Sequence, residues 1–145
     1  WAEANADILA CGSKADTFSF DAYVRRSRDG LGTFDLTAFS SEYQFCAYNE
    51  GQGVDELVSV IDDFEDWLVS DENSLDSPYT YVVLAPDYET EEFDLAWGNF
   101  HQSKEMREAG LANFLDTAPE IQEAFDKVLS CQEPNGFNSG QIPLI

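Results

Sequence analysis

The stretch from Tyr79 to Leu115 changes its residue period once, and that change narrows the folds open to this chain. Tyr79-Thr-Tyr-Val-Val-Leu-Ala85 is a nearly continuous apolar run of strand-favouring residues. Phe93, Leu95 and Trp97 then alternate with Asp94, Ala96 and Gly98 at the period of two of a half-buried strand. The two runs read as a β-hairpin. Carried past Trp97, the alternation brings Asn99 and His101, the only histidine, onto the face that Phe93 and Leu95 begin. A helix follows from an N-cap at Ser103, with Met106, Gly110 and Phe114 on one ridge and Leu111 and Leu115 beside it. Glycine inside a helix costs about 1 kcal/mol relative to alanine, so Gly110 points to close packing against a neighbour.

The remainder repeats these periods. Thr17 to Arg25, Phe34 to Ala38 and Tyr43 to Tyr48 each alternate as strands. Val54, Leu57, Val58, Ile61, Phe64 and Leu68 then fall at intervals of three and four, which predicts an amphipathic helix with Asp55, Asp62, Asp63, Glu65 and Asp66 on its solvated side. Thr117-Ala-Pro-Glu120 has capping-box spacing and opens a second late helix, whose buried stripe is Ile121, Phe125 and Val128. After Cys131 the chain reads as an extended tail. Strand pair then helix thus occurs twice, in halves 17–70 and 78–130 of a single domain spanning 1–145, and Phe34-Asp-Leu36 echoes Phe93-Asp-Leu95. The expectation is an α+β fold, an antiparallel sheet with helices packed on one face, the layering of ferredoxin-like domains.

Charge excludes some partners. The chain has 29 acidic residues against 7 basic ones, a formal net charge of -22, which repels both nucleic acid and anionic membrane surfaces. Its 11 Phe, 6 Tyr and 3 Trp are too many for a disordered acidic chain, so the acid belongs on the surface of a folded domain, as in a marine or halotolerant source. No segment approaches the roughly 20 apolar residues of a membrane span. Trp1 in place of methionine suggests removal of something upstream, and export to the periplasm or the extracellular medium is the expectation. The three cysteines lack zinc-site spacing, and no metal or cofactor is called for. Cys46 reads as a small buried hydrophobe, while Cys11 and Cys131, near the two ends, are candidates for a disulfide in an exported protein.

In its order of elements and in Phe93 to Leu115, the chain resembles the dimeric α/β-barrel superfamily. That resemblance implies a homodimer of facing sheets. It also implies a role for Trp97, Asn99 and His101, because small cofactor-independent monooxygenases of the superfamily place asparagine, tryptophan and a histidine or arginine around a pocket between sheet and helices. An indole there would stack on a flat substrate, an amide would hold a carbonyl or enolate oxygen, and a histidine could move a proton. Tyr81, Met106, Gly110 and Phe114 complete the expected ligand-binding wall. The alternative is that Trp97 is core and that Asn99 and His101 simply lead into the helix cap. A second candidate is the turn bearing Arg25, Arg26 and Arg28, whose guanidinium forks suit a small anion but equally suit pairing with nearby carboxylates. Two functions remain open: a domain that self-associates or binds a small apolar or anionic ligand, and a small cofactor-independent enzyme acting on a flat organic substrate.

Overall fold

The computed structural model describes residues 19–23, 34–75 and 78–140. Along the chain run β1 (Phe20–Tyr23), β2 (Phe39–Tyr48), α1 (Val54–Leu68), β3 (Tyr79–Pro86), β4 (Leu95–His101), α2 (Lys104–Thr117), α3 (Pro119–Val128), β5 (Leu129–Cys131) and β6 (Asn135–Ser139). The fold is α+β. Every strand pairing is antiparallel, in the order β1-β3-β4-β2-β5, with β6 on the same edge of β2 as β5. The hairpin expected at the centre is present, Tyr79 facing His101 and Val83 facing Trp97 across β3 and β4. The first two strands do not pair with each other. β1 lies on the outer edge of β3, and β2 lies on the far side of β4.

Alternation divides the sheet residues into two populations. Cys46, Tyr81, Val83, Leu95 and Trp97 enter one core cluster with Leu57, Val60, Ile61, Phe64, Trp67 and Leu68 of α1 and with Ile121 and Val128 of α3. On the opposite face Phe39 packs against Phe100, Tyr43 against Phe100 and Phe137, and Phe45 against Phe93. Gly98 serves this second face, since a Cβ there would stand 2.8 Å from the ring of Tyr43. Among the described residues this face of half-buried aromatics has no helix over it, whereas the opposite face is covered by α1 and α3.

Several details depart from the sequence reading, each for a local reason. Phe93 does not begin the face of Trp97: it lies with Phe45 and Phe20 on the other side of the sheet. The alternation is reset at Asp94, whose backbone N–H donates to Cys46 O at 2.9 Å and whose carboxylate accepts from Tyr48 N–H at 2.7 Å. Phe34 to Ala38 is not a strand. The Asp35 carboxylate accepts from both the backbone N–H and the hydroxyl of Thr37, at 2.9 and 2.6 Å, and this local turn competes with ladder pairing until Phe39. Glu65 leaves the solvated side of α1 and is buried, because the Tyr81 hydroxyl donates to its carboxylate. Thr117 does not cap α3. It ends α2, donates to Asn113 O and accepts from Trp67 Nε1–H at 3.1 Å, while Ala118 stands at the start of α3.

The cysteine expectation also changes. Cys131 is joined to Cys46, not to Cys11, which lies outside the described residues. Cys46 and Cys131 face each other in the β2–β5 register with Cα atoms 4.0 Å apart, so the bond is a cross-strand link between β5 and its neighbour β2. Reading Cys46 as an ordinary hydrophobe was right about its burial and missed its bond.

Candidate functional site

Strand β4 sends Leu95, Trp97, Asn99 and His101 toward the helices, and β2 sends Glu42, Gln44 and Cys46 the same way, since these residues stand opposite one another in register. Helix α2 crosses above the C-terminal end of β4. Its N-cap is the expected Ser103, whose hydroxyl accepts from Met106 N–H at 3.2 Å. The helix buries no residue completely, so a space of about 600 Å³ remains beneath it. Trp97, Asn99 and His101 all line this one cavity, with Gly110 and Phe114 of α2 above them.

The hydrogen bonding of Asn99 fixes which end of its amide is available. Trp97 Nε1–H donates to Asn99 Oδ1 at 2.9 Å and the Tyr79 hydroxyl donates to the same oxygen at 2.8 Å. An indole N–H can only donate, so the oxygen must face it and the amide cannot be turned over. The Nδ2 group is left with both of its hydrogens unclaimed among the described residues, on a side chain that lines the cavity. Asn99 is therefore a pre-oriented donor.

His101 is 8% exposed, stacked obliquely on Tyr79 with ring centroids 4.8 Å apart, and its Nδ1 has no hydrogen-bond partner among the described residues. Burial and then the nearby Arg107 guanidinium hold its pKa down at about 4. The imidazole is consequently neutral near pH 7, and its Nδ1 is enclosed beneath Gly110. Arg107 itself is held by Glu42 at 2.7 Å, and both line the cavity. Gly110 sits directly over the imidazole: a Cβ there would meet His101 Cε1 at 3.3 Å. The close approach anticipated for Gly110 is thus an approach to His101.

The sign of the histidine shift gives a test. The folded pKa lies below the ordinary value of 6.5, so the unfolded chain takes up the proton first, and this residue's contribution to stability falls as pH drops from about 6.5 to about 4, below which it falls no further. NMR titration of the single imidazole should show a midpoint near 4, and the stability difference between the protein and His101→Asn should change in that window. A midpoint at 6.5 would mean that the ring is solvated.

Not every expected residue reaches this place. Tyr81 is buried below it, stacked on Trp97 at 4.8 Å and 9°, and bonds Glu65. Met106 is exposed on the first turn of α2, and its neighbour Arg107 faces the cavity instead. Arg25, Arg26 and Arg28 lie outside the described residues. The sequence reading missed Tyr79, Glu42 and Arg107. Tyr79 begins the run that pairs with β4, so the hairpin register, once known, would have placed it against His101. Glu42 shares the alternation of Gln44 and Cys46. Among the described residues no three His, Cys, Asp or Glu side chains converge as metal ligands. No family model, no curated protein and no solved structure matches the chain.

Proposed function

We propose that this chain is a binding domain for a flat organic molecule, held in the cavity between the sheet and α2. The observation that carries the reading is the pre-oriented Asn99 amide, with its oxygen consumed by Trp97 and Tyr79 and its N–H groups left to a ligand acceptor. Volume agrees, since about 600 Å³ falls in the range of roughly 300–1,000 Å³ of small-molecule sites. A panel of planar aromatic carbonyl compounds should yield binders that shift the His101 imidazole resonances, and His101→Ala should weaken them while leaving the fold nearly intact. Binders that leave those resonances unmoved would contradict this site.

A second reading, an enzyme of the dimeric α/β-barrel type acting without a cofactor, is favoured by one specific observation: Trp97, Asn99 and His101 share one cavity, and the histidine there is neutral. In that reading the amide stabilises an enolate oxygen and the imidazole takes the proton. Turnover of a planar phenol or quinol lost in His101→Ala would favour it over simple binding.

The ferredoxin-like relationship belongs to the same proposal. Its support is the segment β2-α1-β3-β4-α2-α3-β5, whose strands lie in the order β5-β2-β4-β3, with β1 added at the outer edge. A homodimer is part of it too, formed through the aromatic sheet face around Phe39, Tyr43 and Phe100. Light scattering at micromolar concentration should give twice the 16.2 kDa of the chain, and a mass near 16.2 kDa would exclude the dimer. The Cys46–Cys131 bond supports an exported protein, since such bonds persist in oxidising compartments.

A further inference from the structure

The cavity has a charge pattern as well as a shape. Among the described residues its lining includes four acids, Glu42, Glu108, Asp126 and Glu133, against one guanidinium, that of Arg107. Arg107 is spent on Glu42 at 2.7 Å, and Glu108 faces Lys104 at 3.7 Å on the exposed side of α2. Asp126 and Glu133 have no cationic partner among the described residues. The same lining includes the aromatic side chains of Tyr79, Trp67, Phe114 and Phe125. Trp67 and Phe114 meet edge to face at 5.1 Å within this aromatic wall.

We infer that the ligand of this cavity is a planar organic cation, its ring laid against the aromatic wall and its charge directed toward Asp126 and Glu133. The inference rests on the cavity binding a flat ligand and adds the sign of that ligand's charge. Ring faces attract cations through their quadrupole, and the attraction grows as water is excluded. An anion would meet the opposite conditions, with the acids Asp126 and Glu133 at the cavity and the net charge of -22 around it. The inner end is neutral and polar: the Asn99 amide N–H groups are unclaimed among the described residues, so an acceptor on the ligand can be met there. The recognised class is thus a flat heteroaromatic carrying a fixed or protonated positive nitrogen.

Three probes of one shape separate charge from fit: N-methylquinolinium, 1-methylnaphthalene and 1-naphthoate. Affinities are measured by equilibrium dialysis at an ionic strength of about 0.15 M, where attraction beyond about 8 Å is screened. Location is read from the Cε1–H resonance of His101, unique because the chain has one histidine. The cation should bind about tenfold more tightly than the neutral isostere, with naphthoate weakest, and should shift His101. Asp126→Asn with Glu133→Gln should collapse the ratio between cation and neutral probe, and Asp126→Glu with Glu133→Asp should restore it. Equal or tighter binding of naphthoate, a ratio indifferent to these substitutions, or cation binding that leaves His101 unmoved overturns the inference. If 1-methylnaphthalene shifts His101 and the cation binds no better, only the charge assignment falls. If none of the three shifts His101, the cavity reading falls with it.

Discussion

Replacing Trp97 by alanine should cost about 3–5 kcal/mol of unfolding free energy, the range for removing a large buried aromatic. The indole is 6% exposed and is contacted from several directions. Tyr81 stacks on it at 4.8 Å, while Phe64 and Phe125 approach it edge to face at 6.5 and 5.5 Å. Those rings come from β3, α1 and α3, so the vacancy would open where the sheet and two helices meet. The cost has a second part, because Asn99 Oδ1 would lose one of its two donors and with it the constraint that directs its amide. Trp97→Phe separates the parts: it keeps a ring in the stack, removes only the N–H, and should cost much less stability while still weakening a ligand that accepts from Asn99. Urea unfolding of both variants measures the first effect and ligand titration the second. If Trp97→Ala loses less than about 1 kcal/mol, the indole is not the centre of this core.

The hairpin and the site on it were legible because one period ran unbroken through Leu95, Trp97, Asn99 and His101 and because Ser103 has the chemistry of an N-cap. The helix from Val54 was legible for the same kind of reason. What failed were points where a side chain satisfies a backbone group or a distant partner. Asp94 and Asp35 both look like ordinary solvated members of an alternating strand, yet each turns its carboxylate on nearby backbone N–H groups and stops the alternation. Glu65 sits among aspartates that are exposed, yet it is buried and accepts from the Tyr81 hydroxyl, 16 residues on. The pairing of β1 with β3, and of β2 with β4, is a long-range choice that local patterning leaves open. Trp97, Asn99 and Gly110 of the cavity lining stood out in the sequence, whereas Asp126 and Glu133 are two acids among 29 with nothing in their neighbours to mark them.

Breaking the Cys46–Cys131 bond should lower stability by about 2–4 kcal/mol, the usual effect of removing a native disulfide from a small domain. The bond joins residues 85 apart in sequence, and that loop contains α1, β3, β4, α2 and α3. In the chain-entropy account a loop of this length restricts the unfolded chain by about 4–5 kcal/mol, so the lower measured range leaves room for residual structure in the reduced state. The folded state also depends on the bond locally. β5 has only three residues, pairs among the described residues with β2 alone, and beyond the disulfide is continued by a Gln132 N–H that donates to Phe45 O at 2.8 Å. Gln132, Glu133 and Pro134 then form part of the cavity wall, so loosening β5 should weaken ligand binding in addition to lowering the melting temperature. Cys131→Ser is the cleaner substitution, because Cys131 is exposed whereas Cys46 is 1% exposed and its loss would also disturb packing. In thermal unfolding, the reduced protein and Cys131→Ser should share a midpoint below that of the oxidised protein. Equal midpoints for the oxidised and reduced protein would show that β5 is held by its backbone pairing and by burial of Leu129, and the redox state would then be without consequence for the site.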